Sequence, residues 1–179
     1  MGPLVAIAVG VAVGLATQVV ARWRARDPRR LIAAVTRGAG PPVAATEPVL
    51  DAVRAGVLLP RFVPYSKVAS LVPQASARPL APWLEARHKH LSKADIVLAR
   101  TSGHLLVLHG DIKAINTLVA QVPLADIRSV EVAALPVPGF RQSLLGLTLA
   151  DDTAVIVTCI LPPDDLTVRF GDPLTLASG

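Results

Sequence analysis

The stretch DIVLARTSGHLLVLH, residues 95–109, decides the fold of the C-terminal half of the chain. The pattern changes to a period of two at its start, where Ile96 and Leu98 begin an apolar run. The run stops at Thr101-Ser102-Gly103 and resumes over residues 104–108. Two such runs around a short Gly-containing loop are typical of a hairpin. The stretch therefore predicts two antiparallel strands joined by a tight turn.

Strand patterns continue beyond this hairpin. Alternation recurs over residues 129–132, 145–149 and 166–170, and residues 153–161 are apolar on both faces, as expected of a central strand. A helix is predicted at 111–121, where Asp111 is the candidate cap and one face holds Ile112, Ile115, Val119 and Val122.

We therefore expect an α+β chain whose residues 94–179 form a mainly antiparallel β domain. Five or six strands with short turns are typical of a small barrel or sandwich, here with one short helix.

Residues 46–93 are predicted to hold short helices and proline-rich irregular chain. Thr46-Glu47-Pro48 has the form of a helix start, with a capping hydroxyl and an acid in the first turn, so a helix is predicted as far as Ala55. Three prolines favour extended or irregular chain over residues 57–78. Residues 79–92 follow a helical spacing.

The N-terminal segment, residues 1–21, carries no charge. Eighteen residues from Pro3 to Val20 would span about 27 Å as a helix, close to a hydrocarbon core of about 30 Å. A cleaved signal peptide needs basic residues before its apolar core, and none precedes Pro3. A buried helix of a soluble core is the other alternative, but an all-round apolar helix at a terminus favours lipid. The segment therefore predicts a single transmembrane anchor.

Basic residues follow this anchor at once. Five arginines lie within residues 22–30, and only Asp27 opposes them. Because positive residues beside a span resist translocation, we expect a short external N-terminus and a cytoplasmic body at the cell (inner) membrane. The predicted lipid-headgroup and topology residues are Arg22, Trp23, Arg24, Arg26, Arg29 and Arg30. They either set topology only or also attract the anionic inner leaflet.

Two further features belong to this N-terminal part. Residues 22–45 end in a Gly- and Pro-rich run, which predicts a basic juxtamembrane segment followed by a linker. Within the anchor, Ala6, Gly10 and Gly14 repeat every four residues and form a small-residue face. Such a face lets a second helix approach closely, which predicts self-association or docking on a partner helix.

Composition excludes several classes of protein. The single cysteine, Cys159, rules out an internal disulfide and fits a reducing compartment. Residues 1–93 hold thirteen Lys/Arg and four Asp/Glu (net +9), whereas residues 94–179 hold five and nine (net −4). The basic charge is therefore concentrated beside the predicted anchor. With aromatic residues at 3%, the chain lacks the composition of a base-stacking surface, so no nucleic-acid partner is predicted.

No metal, cofactor or catalytic site is predicted. His88 and His90 would point to different faces of a helix, and His104 and His109 lie at opposite ends of one predicted strand. The acidic pairs Asp151-Asp152 and Asp164-Asp165 adjoin predicted strand ends, where acidic residues favour turns. We therefore expect a protein that is not an enzyme.

Three segments of the C-terminal half resemble bacterial PH-like domains. They are IVLARTSGHLLVLHG, VPLADIRSVEV and LLGLTLADDTAVIVT, which supply an early hairpin, a strand entry of the form Pro-Leu-acidic-Ile, and a hairpin with an acidic turn. The resemblance covers roughly residues 95–160 and implies a curved β-barrel used for protein or lipid contact, without catalysis. The chain departs from that family at the helix predicted at 111–121, and at its end, where a strand replaces a closing helix.

Three functional hypotheses follow. The first is a single-pass, membrane-anchored cytoplasmic interaction or scaffold protein, in contact with the anionic inner leaflet. The second is an accessory subunit of a larger membrane complex, docked through the transmembrane helix. The third, a membrane-associated enzyme of unrecognised type, would need a pocket lined with convergent polar groups, and residues 95–179 offer few candidates.

Overall fold

The structure is a computed structural model that describes residues 27–38, 47–57, 64–88, 95–109, 117–137 and 140–171. The helices are α1 (Pro28–Gly38), α2 (Tyr65–Leu71), α3 (Pro73–Ser76), α4 (Pro82–His88) and α5 (Pro163–Leu166). The strands are β1 (Asp51–Val57), β2 (Asp95–Arg100), β3 (His104–His109), β4 (Thr117–Pro123), β5 (Ile127–Val137), β6 (Phe140–Leu149) and β7 (Ala154–Cys159). A 3-10 turn (Leu124–Asp126) joins β4 to β5, and a π-type turn (Thr167–Gly171) continues α5.

Seven strands of the described residues form one antiparallel sheet in the order β4-β3-β2-β1-β7-β6-β5. The predicted hairpin is confirmed, because β2 and β3 pair from Ile96↔His109 to Arg100↔Leu105 around residues 101–103. β7 pairs with both β1 and β6, so the central strand predicted over 153–161 is also confirmed. A mainly antiparallel β domain with a few short helices is therefore the fold of the described chain.

β1 corrects the helix predicted from Thr46 to Ala55. Residues 51–57 are a strand that pairs with β2 from Asp51↔Arg100 to Gly56↔Asp95, and with β7 from Ala55↔Cys159 to Val57↔Val157. The alternation of DAVRAGV suits this position, since Val53 and Ala55 are buried on one face and Ala52 on the other. Pairing on two sides therefore overrides the helical preference of an Ala-containing segment.

Three further segments differ from the prediction. A helix is predicted at 111–121, but residues 117–123 form β4, an edge strand paired with β3. Residues 110–116 lie outside the described chain. Residues 166–170, predicted as a strand, belong to α5 and the π-type turn. The spacing of four between the buried Leu166 and Phe170 brings both onto one side of a helical turn, with Val168 exposed. Residues 65–76, predicted irregular, form α2 and α3, whereas α4 confirms a helix within 79–92.

Both faces of the central strands are buried. The inner face forms one apolar cluster, shared by β1–β3 and β6–β7, so the sheet curves around it, and Leu84 of α4 and Phe170 join it. On the outer face, α1 packs Leu31 and Val35 against β1, β2 and β3. The outer face of β6 and β7 is covered by α2 and α3 through Val68, Val72 and Ala75. Burial of each large apolar side chain contributes about 1.5–3 kcal/mol.

No helix in the described ranges is long and apolar enough to cross a membrane. The predicted anchor, residues 1–21 with Ala6, Gly10 and Gly14, lies outside those ranges. Within the predicted juxtamembrane segment and linker, residues 22–45, residues 28–38 are helical and packed on the sheet.

Gly146 sets the distance between β6 and the helices that cover it. A Cβ at this position would lie 2.9 Å from Ala75 Cβ and 3.0 Å from Val72 Cβ, so glycine permits the close approach of this layer. We expect Gly146→Val to lower the free energy of unfolding by about 1–3 kcal/mol, because the helices must move away. Urea unfolding of the full-length protein measures the change.

The matched control is Ala134→Val, which adds the same side chain at an exposed position of β5. Its effect should stay within about 0.5 kcal/mol. Equal unfolding midpoints for the two variants would show that the Gly146 contact does not limit the packing.

Candidate functional site

Charged and polar side chains lie at one end of the sheet, where β1 begins, β2 ends and the π-type turn (Thr167–Gly171, called the C-terminal turn below) packs. We call this group the polar end. It consists of Glu47, Asp51, Arg100, Thr101, His104 and Arg169. The sheet brings it together, because Asp51 and Arg100 are opposite each other in the β1–β2 register and Thr101 opens the following turn.

Glu47 clamps the β2–β3 turn. Its Oε2 accepts hydrogen bonds from Thr101 Oγ1 at 2.5 Å and from Gly103 N at 3.3 Å, and lies 3.1 Å from His104 Nδ1. Thr101 is fully buried, and its Oγ1 also accepts from His104 N at 2.9 Å. The carboxylate therefore ties the segment that leads into β1 to the hairpin beside it.

These donors stabilise the ionised form of Glu47. The hydrogen bond from Thr101, with those from His104 and Gly103, lowers the pKa of the Glu47 carboxyl below its ordinary value of 4.5. The same donors would be lost if the chain unfolded, so the clamp links folding to pH.

A second ionic contact holds the end of the described chain on the start of β1. Arg169 Nε donates to Asp51 Oδ2 at 2.8 Å, Arg169 Nη2 also contacts Asp51 Oδ1, and Nη2 donates to the carbonyl of Ala52 at 2.9 Å. The two side chains are only 20% and 14% exposed. Asp51 Oδ1 accepts from Ala52 N as well, at 2.7 Å, so both carboxylate oxygens have partners.

Arg100 stands opposite Asp51 without sharing it. Its Nε is buried and has no hydrogen-bond partner, and no ion pair of the described residues includes its guanidinium. The residue as a whole is half-buried. A buried guanidinium nitrogen without an acceptor is unusual in a folded protein, because it loses hydration and gains no compensating bond.

Several other charged groups of the described chain have structural partners. Glu131 accepts from Gln74 N at 3.1 Å and Ala75 N at 2.8 Å, which satisfies the start of α3. Asp151 accepts from the backbone N and the hydroxyl of Thr153, and these bonds lower its pKa. Asp152, at φ 64°, lies beside Arg128 and Arg78 on the surface. The turn interpretation of Asp151-Asp152 is therefore confirmed.

The residues predicted from sequence are not gathered into this site. Arg29 and Arg30 are exposed on the first turn of α1, where Arg30 lies 3.3 Å from Asp27. Arg22, Trp23, Arg24 and Arg26 lie outside the described chain. Cys159 is buried in the inner cluster, and burial raises the pKa of its thiol to about 12. Within the described ranges, no three His, Cys, Asp or Glu residues are grouped as metal ligands.

No protein-family model and no curated protein sequence matches this chain.

Sequence reasoning missed the polar end because its parts are distant in the chain. Asp51 and Arg169 are 118 residues apart, and Glu47 is predicted to begin a helix. One local signal was available at Arg100, which follows Ile96 and Leu98 at a period of two. That spacing places an arginine on the inner, apolar face of β2.

The Glu47 clamp predicts a pH-dependent stability difference. Because the folded-state pKa is lowered, its contribution is complete above 4.5 and is lost as the pH falls through the folded value. The Tm of the wild type should exceed that of Glu47→Gln near neutrality, and the gap should narrow as the pH falls below about 4.5. Thr101→Val, which removes the first donor, should reduce the acid-dependent part of the gap. A gap independent of pH would contradict this account of the clamp.

A double-mutant cycle tests the pair between Asp51 and Arg169. We expect a coupling energy of about 1–2 kcal/mol from urea unfolding of Asp51→Asn, Arg169→Gln and the double variant. Asp51→Asn should be the more destabilising change, because it leaves two arginines without a carboxylate. Arg169→Gln frees Asp51 to pair with Arg100 across the strands. A coupling below about 0.3 kcal/mol would show that the contact adds nothing to stability.

Proposed function

We propose that this chain is a single-pass, membrane-anchored cytoplasmic interaction or scaffold protein without catalytic activity. Residues 1–21 would cross the cell (inner) membrane, and the β domain would bind a protein partner close to its inner surface. The proposal combines the uncharged N-terminal segment with one structural observation, the docking of α1 on the sheet.

The docking of α1 carries the proposal. Leu31, Ala34 and Val35 are buried against the outer face of β1–β3, so the helix belongs to the folded domain. Only residues 22–27 separate the predicted span from Pro28. Six residues reach at most about 20 Å when fully extended. An anchor at residues 1–21 would therefore hold the β domain directly at the membrane surface.

The distribution of charge supports the same arrangement. Arg29 and Arg30 are exposed at the end of α1 that is nearest the predicted span. Together with Arg22, Arg24 and Arg26 they make residues 22–30 strongly basic in sequence, whereas the C-terminal half is acidic. Basic residues beside an anionic inner leaflet contribute about 1 kcal/mol each near the surface.

The proposal includes a PH-like architecture for the β domain. Two elements support it: residues 117–123, predicted to be largely helical, are a strand, and residues 163–171, predicted to include a strand at 166–170, are helical. The sheet also curves around one apolar cluster that Phe170 joins. These features support a small barrel used for contact rather than for catalysis.

An accessory subunit of a larger membrane complex is the second candidate. The small-residue face of Ala6, Gly10 and Gly14 favours it, because such faces pack against partner helices. Extraction in mild detergent followed by sizing separates the two candidates. A discrete assembly much larger than a dimer favours the subunit, whereas a monomer or dimer favours the scaffold.

Membrane placement is tested by a charge in the middle of the predicted span. Wild-type protein should remain in the membrane pellet after alkaline washing, whereas Val11→Arg should move largely to the supernatant. An arginine at a helix centre disfavours insertion by about 2.5–3.5 kcal/mol. The control Val11→Leu should stay in the pellet. Release of the wild type by the wash would disprove the anchor.

The same membranes report the orientation of the β domain. Ser102 is exposed in the β2–β3 turn, and the native Cys159 is buried with a raised pKa, so Ser102→Cys offers one reactive thiol in the described chain. An impermeant maleimide should label this variant only after the cells are permeabilised. Labelling of intact cells would place the domain outside.

A further inference from the structure

We propose that Arg100 is the docking residue for a carboxylate of a partner protein, supplied by an acidic side chain or a C-terminus. This inference rests on the proposed interaction function and names the chemistry of the partner. The ligand would lie at the polar end, between the β2–β3 turn and the C-terminal turn.

The first argument is the unsatisfied guanidinium. Arg100 shares the inner face of β2 with the buried Leu98, and its cross-strand neighbour on β3 is the buried Leu105. Its Nε has no acceptor in these surroundings. A low-dielectric environment makes an unpaired polar group unfavourable and makes a newly formed ionic hydrogen bond strong. Arg100 as a whole is only half-buried, so a ligand that reaches its guanidinium would provide an acceptor that the chain itself does not.

The second argument is that the nearest carboxylate is already taken. Asp51 lies directly opposite Arg100, yet its oxygens accept hydrogen bonds from Arg169 and from Ala52 N. The other carboxylate of the polar end, Glu47, is bonded to Thr101, Gly103 and His104, so neither carboxylate is bonded to Arg100. A carboxylate on the ligand would supply the partner that Arg100 lacks.

The third argument separates a carboxylate from a phosphate. Phosphate recognition uses clusters of arginines, because three or more oxygens need donors. Arg169 cannot join such a cluster here, since its Nε and Nη2 are committed to Asp51 and to the Ala52 carbonyl. A single guanidinium without an ion pair matches the two oxygens of a carboxylate.

The fourth argument favours a protein as the carrier of the carboxylate. Large apolar side chains that are exposed in the described chain are few, and Leu50 (47%) and Val168 (73%) immediately precede Asp51 and Arg169 in sequence. Leu50 also lies next to Arg100 in the sheet, because Leu50 N donates to the Arg100 carbonyl at 2.8 Å. Exposed apolar residues near an arginine are typical of a protein-binding surface. A partner would cover them while its carboxylate reaches Arg100.

The test uses the full-length protein in a neutral detergent and the probe acetyl-Ala-Ala-Ala. The arginine Nε–Hε signals are followed by NMR as the probe with a free C-terminal carboxylate is added. We expect a saturable shift of one signal at millimolar probe, and that signal should be missing from Arg100→Lys. The probe with a C-terminal amide should produce no shift. The control Arg78→Lys, at an exposed arginine, should retain the response.

Three outcomes of this titration would overturn the proposal. One is the absence of a saturable shift at Arg100, and another is an equal response to the amide. The third is a preference for a different anion, seen as tighter binding of inorganic phosphate or of anionic phosphatidylglycerol vesicles. The titration and the membrane-pellet experiment give independent results. A failed titration does not contradict membrane anchoring, and release of the wild type from membranes does not contradict carboxylate binding, so the two proposals fail separately.

A stability measurement distinguishes binding from a structural role. Arg100→Met keeps an apolar stem and removes the unpaired Nε, so its Tm should be equal to or higher than that of the wild type. The same variant should lose the response to the probe. A Tm more than about 3 °C lower would show that Arg100 is needed for folding, and the binding assignment would fall.

Discussion

The pairing of β1 on both sides is the constraint on which the rest of the structure depends. β2–β4 form one group of strands and β5–β7 the other, and β1 joins them by pairing with β2 along its length and with β7 at its end. Without this strand the inner faces of the two groups would not share one apolar cluster. The small residues of β1, Ala52, Ala55 and Gly56, suit a strand with neighbours on every side.

Two polar contacts fix the entry and the exit of the chain relative to β1. Glu47 holds the segment before the strand on the β2–β3 turn, and Arg169 holds the C-terminal turn on Asp51. Each contact is fully hydrogen-bonded, as expected where polar groups leave water. Arg100, in the same place, lacks a partner for its Nε. A polar group without a hydrogen-bond partner, among neighbours that all have one, is a feature that functional sites often display.

The covering helices decide which surfaces remain for function. The inner face of the sheet is filled, and α1, α2 and α3 pack on the outer face, so neither face of the central strands is available to a ligand. What remains are the edge strands β4 and β5 and the end of the sheet, where side chains from distant segments meet. The chain that precedes α1 is the part that we propose to lie in the membrane. Because α1 is part of the folded core, such an anchor would hold the β domain close to the bilayer. The polar end would then be a surface available to partners.

Local and regular patterns are enough to predict the β2–β3 hairpin, the strands near 129–132, 145–149 and 153–161, and the helix within 79–92. Composition and local pattern also predict the anchor and its arginine-rich flank, and they carry the resemblance to PH-like domains. Long-range contacts make residues 51–57 a strand, 117–123 an edge strand and 166–170 helical. In these short segments local preference is weak, and pairing or burial with residues as much as about a hundred positions away decides the conformation. The polar end depends on the same long-range contacts, so no local sequence motif predicts it.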